Sequence, residues 1–401
     1  MKNTLQEKQI NLLQTQNTFH YQMCILSVIG ICFVLLGHLK NDFSSSGTFY
    51  GWFPYYSFHM PLFLFVSGYF FRQPEKDGFF RPFGKFLQKK CISLLPPFYV
   101  INGLFILFDF LISGMGFIRI DYTLADYLLM PLKETQPTTF SFATWFLPAL
   151  FLAEIYYYLL RTVLDRLFQD TLLKEALFLL LILGLSVSAF YIRFAYEPGE
   201  AVIVLLRSVV MLFFLQFGFL YRHYLEKLDK LPGVWYFLIL GTVQFLLIVY
   251  SRNSQLSPGL YNLSDFGKTG FLYYCCGTTG ILLWLRISRL IASIPYRSRL
   301  LIFIGKNTKY IMAFHVFGFF LLNCVFYLIY SLGASAAFIA DFDPPQFFTD
   351  YFFYRCSQDN PRVLVLYFFA GMALSLGLAK LIALGKDRIG HWGKSRRNDN
   401  A

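Results

Sequence analysis

The sequence is poor in charge. Only 14% of its 401 residues are Asp, Glu, Lys or Arg, against about 25% in an ordinary soluble domain. That shortage excludes a water-facing globule of this length. The chain also lacks the period-two alternation that marks half-buried strands, any internal repeat, and any low-complexity linker. Barrels and solenoids are set aside, and one domain is expected. Cysteine offers no disulfide framework. Cys24, Cys32, Cys91, Cys275, Cys276 and Cys324 lie in or at the ends of apolar runs, and Cys356 has no evident partner in its loop. No small-residue cleavage site follows the first apolar run, which ends in GHLK. Residues 1–20 therefore read as a polar segment ahead of a retained anchor.

What is present is apolar and aromatic. Hydrophobic residues make up 56% of the chain, and 49 Phe and 27 Tyr lift the aromatic share to 20%. A lipid bilayer is the solvent that suits this composition, with Tyr and Trp at its two boundaries. About 20 apolar residues cross the hydrocarbon core as a helix. Ten stretches qualify, at 21–39, 51–71, 92–116, 142–163, 175–192, 201–220, 234–251, 269–286, 309–331 and 362–384. The expected fold is an all-α polytopic membrane bundle of about ten transmembrane helices over 21–384, with a basic tail at 385–401.

The net charge of +12 has a use other than nucleic-acid binding. With these spans, 25 of the 35 Lys and Arg fall on the amino-terminal side and 8 on the other, while Arg207 and Lys380 fall inside spans. Cationic loops are retained in the cytoplasm beside anionic lipid, so both termini are expected there.

Ionisable and polar groups within spans are costly and mark candidate sites. His38 ends the first span and His59 enters the second, which puts both near the outer level. Arg207 lies in the sixth span, Glu154 in the fourth, and Asn102 and Asp109 in the third. Together they suggest a wet cavity in the outer half. Each also has a structural reading: His38 as a helix end, His59 as an interhelical hydrogen bond, Glu154 as a partner for Arg207, and Arg207 as a snorkelling cation.

Several motifs occur in one order. The first two spans read ILSVIGICFVLLGHL and SFHMPLFLFVSGYFF, with Gly37 and His38 as a Gly-His pair and Phe58, His59, Pro61, Phe63, Ser67 and Gly68 in a spaced pattern. LLPPFY at 94–99, TWFLPALF at 144–151 (with Trp145), FFLQFGFLYR at 213–222 and GKNTKYIMAFHVF at 305–317 follow. This series resembles the membrane acyltransferase-3 family, which includes O-acetylases and O-succinylases of bacterial surface polysaccharides, and the fucose 4-O-acetylase-like members in particular. The chain departs from the family pattern in three places. Ser27 stands where a cation usually lies eleven residues before the first-span His, Ser93 ends the Lys90-x-x-Ser93 motif, and Ala143 and Thr144 precede the Trp-Phe-Leu motif.

The resemblance implies a multi-pass protein of the bacterial inner membrane that moves an acetyl or similar acyl group from cytoplasmic acyl-CoA to a hydroxyl of a surface or lipid-linked glycan, without a metal. In that reading His38 is the base or nucleophile and Arg207 stabilises the oxyanion or orients the acceptor. His59, Glu154, Trp145 and Asn102 contact substrate, and Lys89, Lys90, Asn307 and His315 meet the donor. A glycan exporter or flippase and a non-catalytic partner of a polysaccharide synthase remain compatible with the same polar cavity.

Overall fold

A computed structural model describes residues 21–39, 55–72, 80–133, 140–169, 171–251, 259–264, 270–333 and 341–398. The amino-terminal segment 1–20 lies outside the described residues, as do the side chains of 55, 251 and the tail from 386. The architecture is all-α. Its helices are α1 Tyr21–Gly37, α2 Tyr55–Tyr69, α3 Phe80–Ser113, α4 Leu124–Leu129, α5 Phe146–Leu167, α6 Leu172–Tyr196, α7 Glu200–Val210, α8 Leu212–Leu220, α9 Glu226–Leu228, α10 Gly233–Ser251, α11 Phe271–Ala292, α12 Arg299–Lys306, α13 Thr308–Ser331, α14 Pro344–Thr349 and α15 Pro361–Asn398.

Eight helical stretches among the described residues are long and apolar enough to cross a membrane. One of them joins α7, α8 and α9 through a break at Met211 and a π turn at Tyr221–Leu225. The expected first and second spans are the shorter helices α1 and α2; α2 has 15 residues and contains Pro61.

Two expectations change. The third span starts at Phe80 rather than 92, so the basic stretch Arg81–Lys90 forms the first turns of α3 instead of a loop. Phe, Leu, Gln and Lys all extend a helix readily, and Pro96 and Pro97 leave α3 unbroken because neighbouring helices constrain it. At the other end, α15 continues to Asn398 through most of the expected tail.

Close helix contacts set the frame. Gly68 on α2 and Gly218 on α8 face each other's backbones: a Cβ at Gly68 would overlap the Leu215 carbonyl, and one at Gly218 the Phe65 carbonyl. Small residues permit this approach, and within a bilayer van der Waals contact of this kind drives helix association. Where α5 meets α6, Arg161 grips both Glu175 oxygens at 2.7 Å and Asp165 at 3.1 Å, while Lys174 Nζ lies 2.6 Å from Asp165. Gln216 of α8 donates to Glu175 at 2.9 Å and accepts from Tyr157 at 2.7 Å.

The segment 341–360, between α13 and α15, folds inward among the helices. Phe347 and Tyr351 are buried in an aromatic cluster with Phe117, Phe140 and Phe320. Tyr351 donates to Asp109 at 3.1 Å, and Asn323 donates to the Tyr354 carbonyl at 2.9 Å. Offset and edge-on ring contacts each add about 0.5–1.5 kcal/mol beyond area burial, enough in number to hold this segment in place.

Candidate active site

The end of α1 meets the middle of the bundle. Cys24 approaches the Leu301 carbonyl at 3.6 Å and Tyr21 accepts from the Ser298 amide at 3.0 Å, so α1 begins beside α12. Seventeen residues carry it about 25 Å, and His38 then stands against His315 of α13, with His38 Nδ1 and His315 Nε2 2.7 Å apart. His315 is the eighth residue of the 24-residue α13, about 10 Å from its start, and the end of α1 meets it there.

The protons of the pair follow from one backbone carbonyl. His315 Nδ1 lies 3.0 Å from the Ile311 carbonyl oxygen. That oxygen only accepts, so Nδ1 carries the proton and Nε2 of neutral His315 is an acceptor. His38 Nδ1 must then donate across the 2.7 Å contact, which leaves its lone pair on Nε2. The ring planes differ by 12° with centroids 5.0 Å apart. That separation is the bond length plus two ring radii, so the rings meet edge to edge rather than face to face.

Three further groups surround His38. Phe142 packs on its ring with centroids 4.8 Å apart. Asn102 holds the turn that carries Phe142: it accepts from Ser141 at 2.8 Å and donates to Thr144 at 3.1 Å. Tyr56 of α2 donates to the Gly37 carbonyl at 2.9 Å, and its ring stands 5.1 Å from that of His59, so α2 is tied to the end of α1. His59 and Arg355 both lie near enough for a charge on either to act on His38.

Arg355 escapes a reading of the sequence, where it counts only as one more cation of a loop. The residue is 4% exposed, and its guanidinium lies 4.5 Å from the Phe319 ring centroid and donates to the carbonyls of Phe352, Tyr354 and His38 at 2.9, 2.7 and 3.4 Å. Among the described residues no carboxylate comes within ion-pair distance, and its Nε–H has no acceptor. Burial pulls the group down to about 10, with Tyr367 and Asp350 opposing, so it remains cationic at neutral pH. The one sequence signal is a lone Arg closing the aromatic run FFTDYFFY. Phe142 is likewise invisible without the fold.

The other expected residues are dispersed. Arg207 is buried, donates to the Tyr261 carbonyl at 3.0 Å and faces Trp145 at 5.0 Å. Glu154 pairs with Lys90 at 2.5 Å. The suggested Glu154–Arg207 pair is thus replaced, because the helical start of α3 brings Lys90 to α5. Lys89 is exposed. Asn307 donates to the Phe303 carbonyl at 2.7 Å within the α12–α13 turn. The structure therefore gathers His38, His59 and His315, and Asn102 stands behind them as a support. Arg207 and Trp145 form a separate contact, and Lys90 and Glu154 form another.

A half-buried imidazole backed by a buried one, with an unneutralised guanidinium beside them, suits proton transfer with charge stabilisation. Residues 25–380 match the family described as Acyltransferase domain, acyltransferase 3. The chain belongs to the acyltransferase-3 family. No curated protein and no solved structure matches it. This membership, with the helices of membrane-spanning length, makes the chain a multi-pass membrane acyltransferase by family.

Proposed function

We propose that this acyltransferase-3 protein moves an acetyl or similar acyl group from acyl-CoA to a hydroxyl of a surface or lipid-linked glycan, in a bacterial inner membrane with both termini cytoplasmic. The observation that carries the reading is the His38–His315 hydrogen bond, with the His315 tautomer set by the Ile311 carbonyl.

His38 Nε2 takes the proton of the acceptor hydroxyl as its oxygen attacks the thioester carbon. The oxygen–carbon bond forms, the carbon–sulfur bond then breaks, and the imidazolium returns the proton to the departing thiolate. General-base help of this kind contributes about 10²–10⁴-fold. His315 acts as a positioning residue, accepting from Nδ1 throughout and so keeping Nε2 toward the reacting atoms. Arg355 supplies fixed positive charge near the carbonyl as it becomes an oxyanion, which is most effective in a site of low dielectric. It takes the electrostatic role that the sequence suggested for Arg207.

The test compares surface glycans by mass spectrometry in cells with the gene, without it, and with His38→Ala. The expected result is an acetyl- or succinyl-sized mass increment that disappears in both altered strains while membrane expression persists. Undiminished modification with His38→Ala overturns the assignment. Loss of polymer secretion instead of loss of the ester points to an exporter.

A further inference from the structure

A polar cavity lies beside Arg355, which itself touches the backbone of His38. It holds about 600 Å³ and is lined by Asp341, Arg355, Ser357, Gln358, Asp359 and Asn360. That is the size class of small-ligand sites. Its two arms come from one segment, Asp341 just before α14 and residues 355–360 just before α15.

We propose that this cavity is a vestibule for the acceptor, selective for uncharged, hydroxyl-rich sugar rings; the assignment of the ligand as acceptor rests on the acyl-transfer reading above. Four observations support it. Every lining side chain makes hydrogen bonds and none is aliphatic or aromatic, so an acyl chain or lipid tail finds no apolar wall. Two carboxylates and one guanidinium line it without forming an ion pair with each other, and the excess of carboxylate repels phosphorylated or uronate rings while accepting hydroxyl protons. The guanidinium in turn disfavours a metal cation in the same space.

Arg355 links the cavity to the chemistry. The same side chain that lines the cavity donates to the His38 carbonyl at 3.4 Å, and its buried Nε–H has no acceptor among the described residues. The wall of the cavity therefore touches the backbone of the residue that acts as base. The rim is also conformationally committed: Ser357 sits at φ +48° and donates to Asp341 at 3.4 Å, joining the two arms. Non-glycine residues hold this left-handed conformation where the surroundings enforce it, often at ligand clamps.

The experiment uses purified full-length protein in nanodiscs, with glycan prepared from cells lacking the gene as acceptor, and acetyl-CoA and succinyl-CoA as donors. Asp341→Asn and Asp359→Asn keep side-chain volume while removing charge. Each is expected to raise the acceptor KM about tenfold or more and to leave the acyl-CoA KM unchanged. A cavity without this role leaves the acceptor KM untouched in both variants, and that result overturns the proposal. Calorimetric binding of the same glycan gives a readout independent of turnover. Should wild-type protein transfer no acyl group, the acyl-transfer reading falls. The cavity is then judged by binding alone: weakening in either variant upholds it as a sugar site, and equal affinity, or no binding to wild-type protein, overturns it. Tighter binding of a uronate oligomer than of a neutral oligomer of equal length overturns the stated selectivity.

Discussion

Two buried polar regions of the same bundle differ in how their charges are matched. At the α5–α6 end, two cations and two carboxylates interlock: Arg161 takes both oxygens of Glu175, Asp165 is shared between Arg161 and Lys174, and Gln216 with Tyr157 completes the shell. Around His38, two neutral imidazoles are joined by one hydrogen bond and the neighbouring Arg355 has no carboxylate within ion-pair distance among the described residues. Satisfied burial of charge locks helices together. Burial that leaves charge unmatched costs stability and persists where chemistry uses it. The comparison separates a structural network from a candidate site without reference to sequence motifs.

The strongest way to break the comparison is to unbalance the satisfied region. Glu175→Ala strands Arg161 and is expected to cost about 3–5 kcal/mol, read as a lower unfolding temperature in detergent. Activity per folded molecule is expected to hold. A large loss of turnover with little change in stability would mean that this network, too, belongs to the chemistry.

A smaller effect is expected at His315. His315→Phe removes the acceptor for His38 Nδ1, and turnover is expected to fall about tenfold, the scale of one charge-assisted hydrogen bond. His315→Gln offers a carbonyl oxygen in its place and is expected to recover part of the rate. Equal losses in the two variants, with an unaltered pH–rate profile, would reduce His315 to packing.

The smallest effect concerns pH. Burial pulls the Arg355 guanidinium down to about 10, and its charge is expected to set the alkaline limb, with turnover declining as pH rises past that value. Burial disfavours the charged form of Lys as well, and an ammonium starts from a lower pKa than a guanidinium. Arg355→Lys is therefore expected to move the decline to lower pH. An identical alkaline limb in the variant would remove Arg355 from the charge-stabilising role.

Much of the fold was readable because lipid imposes a simple rule: long apolar runs must become helices that satisfy their own backbone. The errors lie where that rule is silent. Lys89 and Lys90 lie ahead of the apolar run at 92–116, yet they belong to α3, because a helix does not stop where the lipid does. His38 stood out as an ionisable group in a span and His315 only as part of a family motif, and 277 positions separate them in the chain. Their contact depends on α1 being short and starting beside α12. Arg355 was hidden for a related reason: a cation between spans reads as solvated, and only the inward fold of 341–360 buries it.

The sequence by itself determined the solvent, the helical class and the family, because hydropathy and motif order are local properties of the chain. Only the tertiary structure decided which polar residues share a site. Proton positions, ion pairs and the cavity at Asp341 and Asp359 all depend on distances of a few ångströms between segments hundreds of residues apart, and helix length and close packing set those distances.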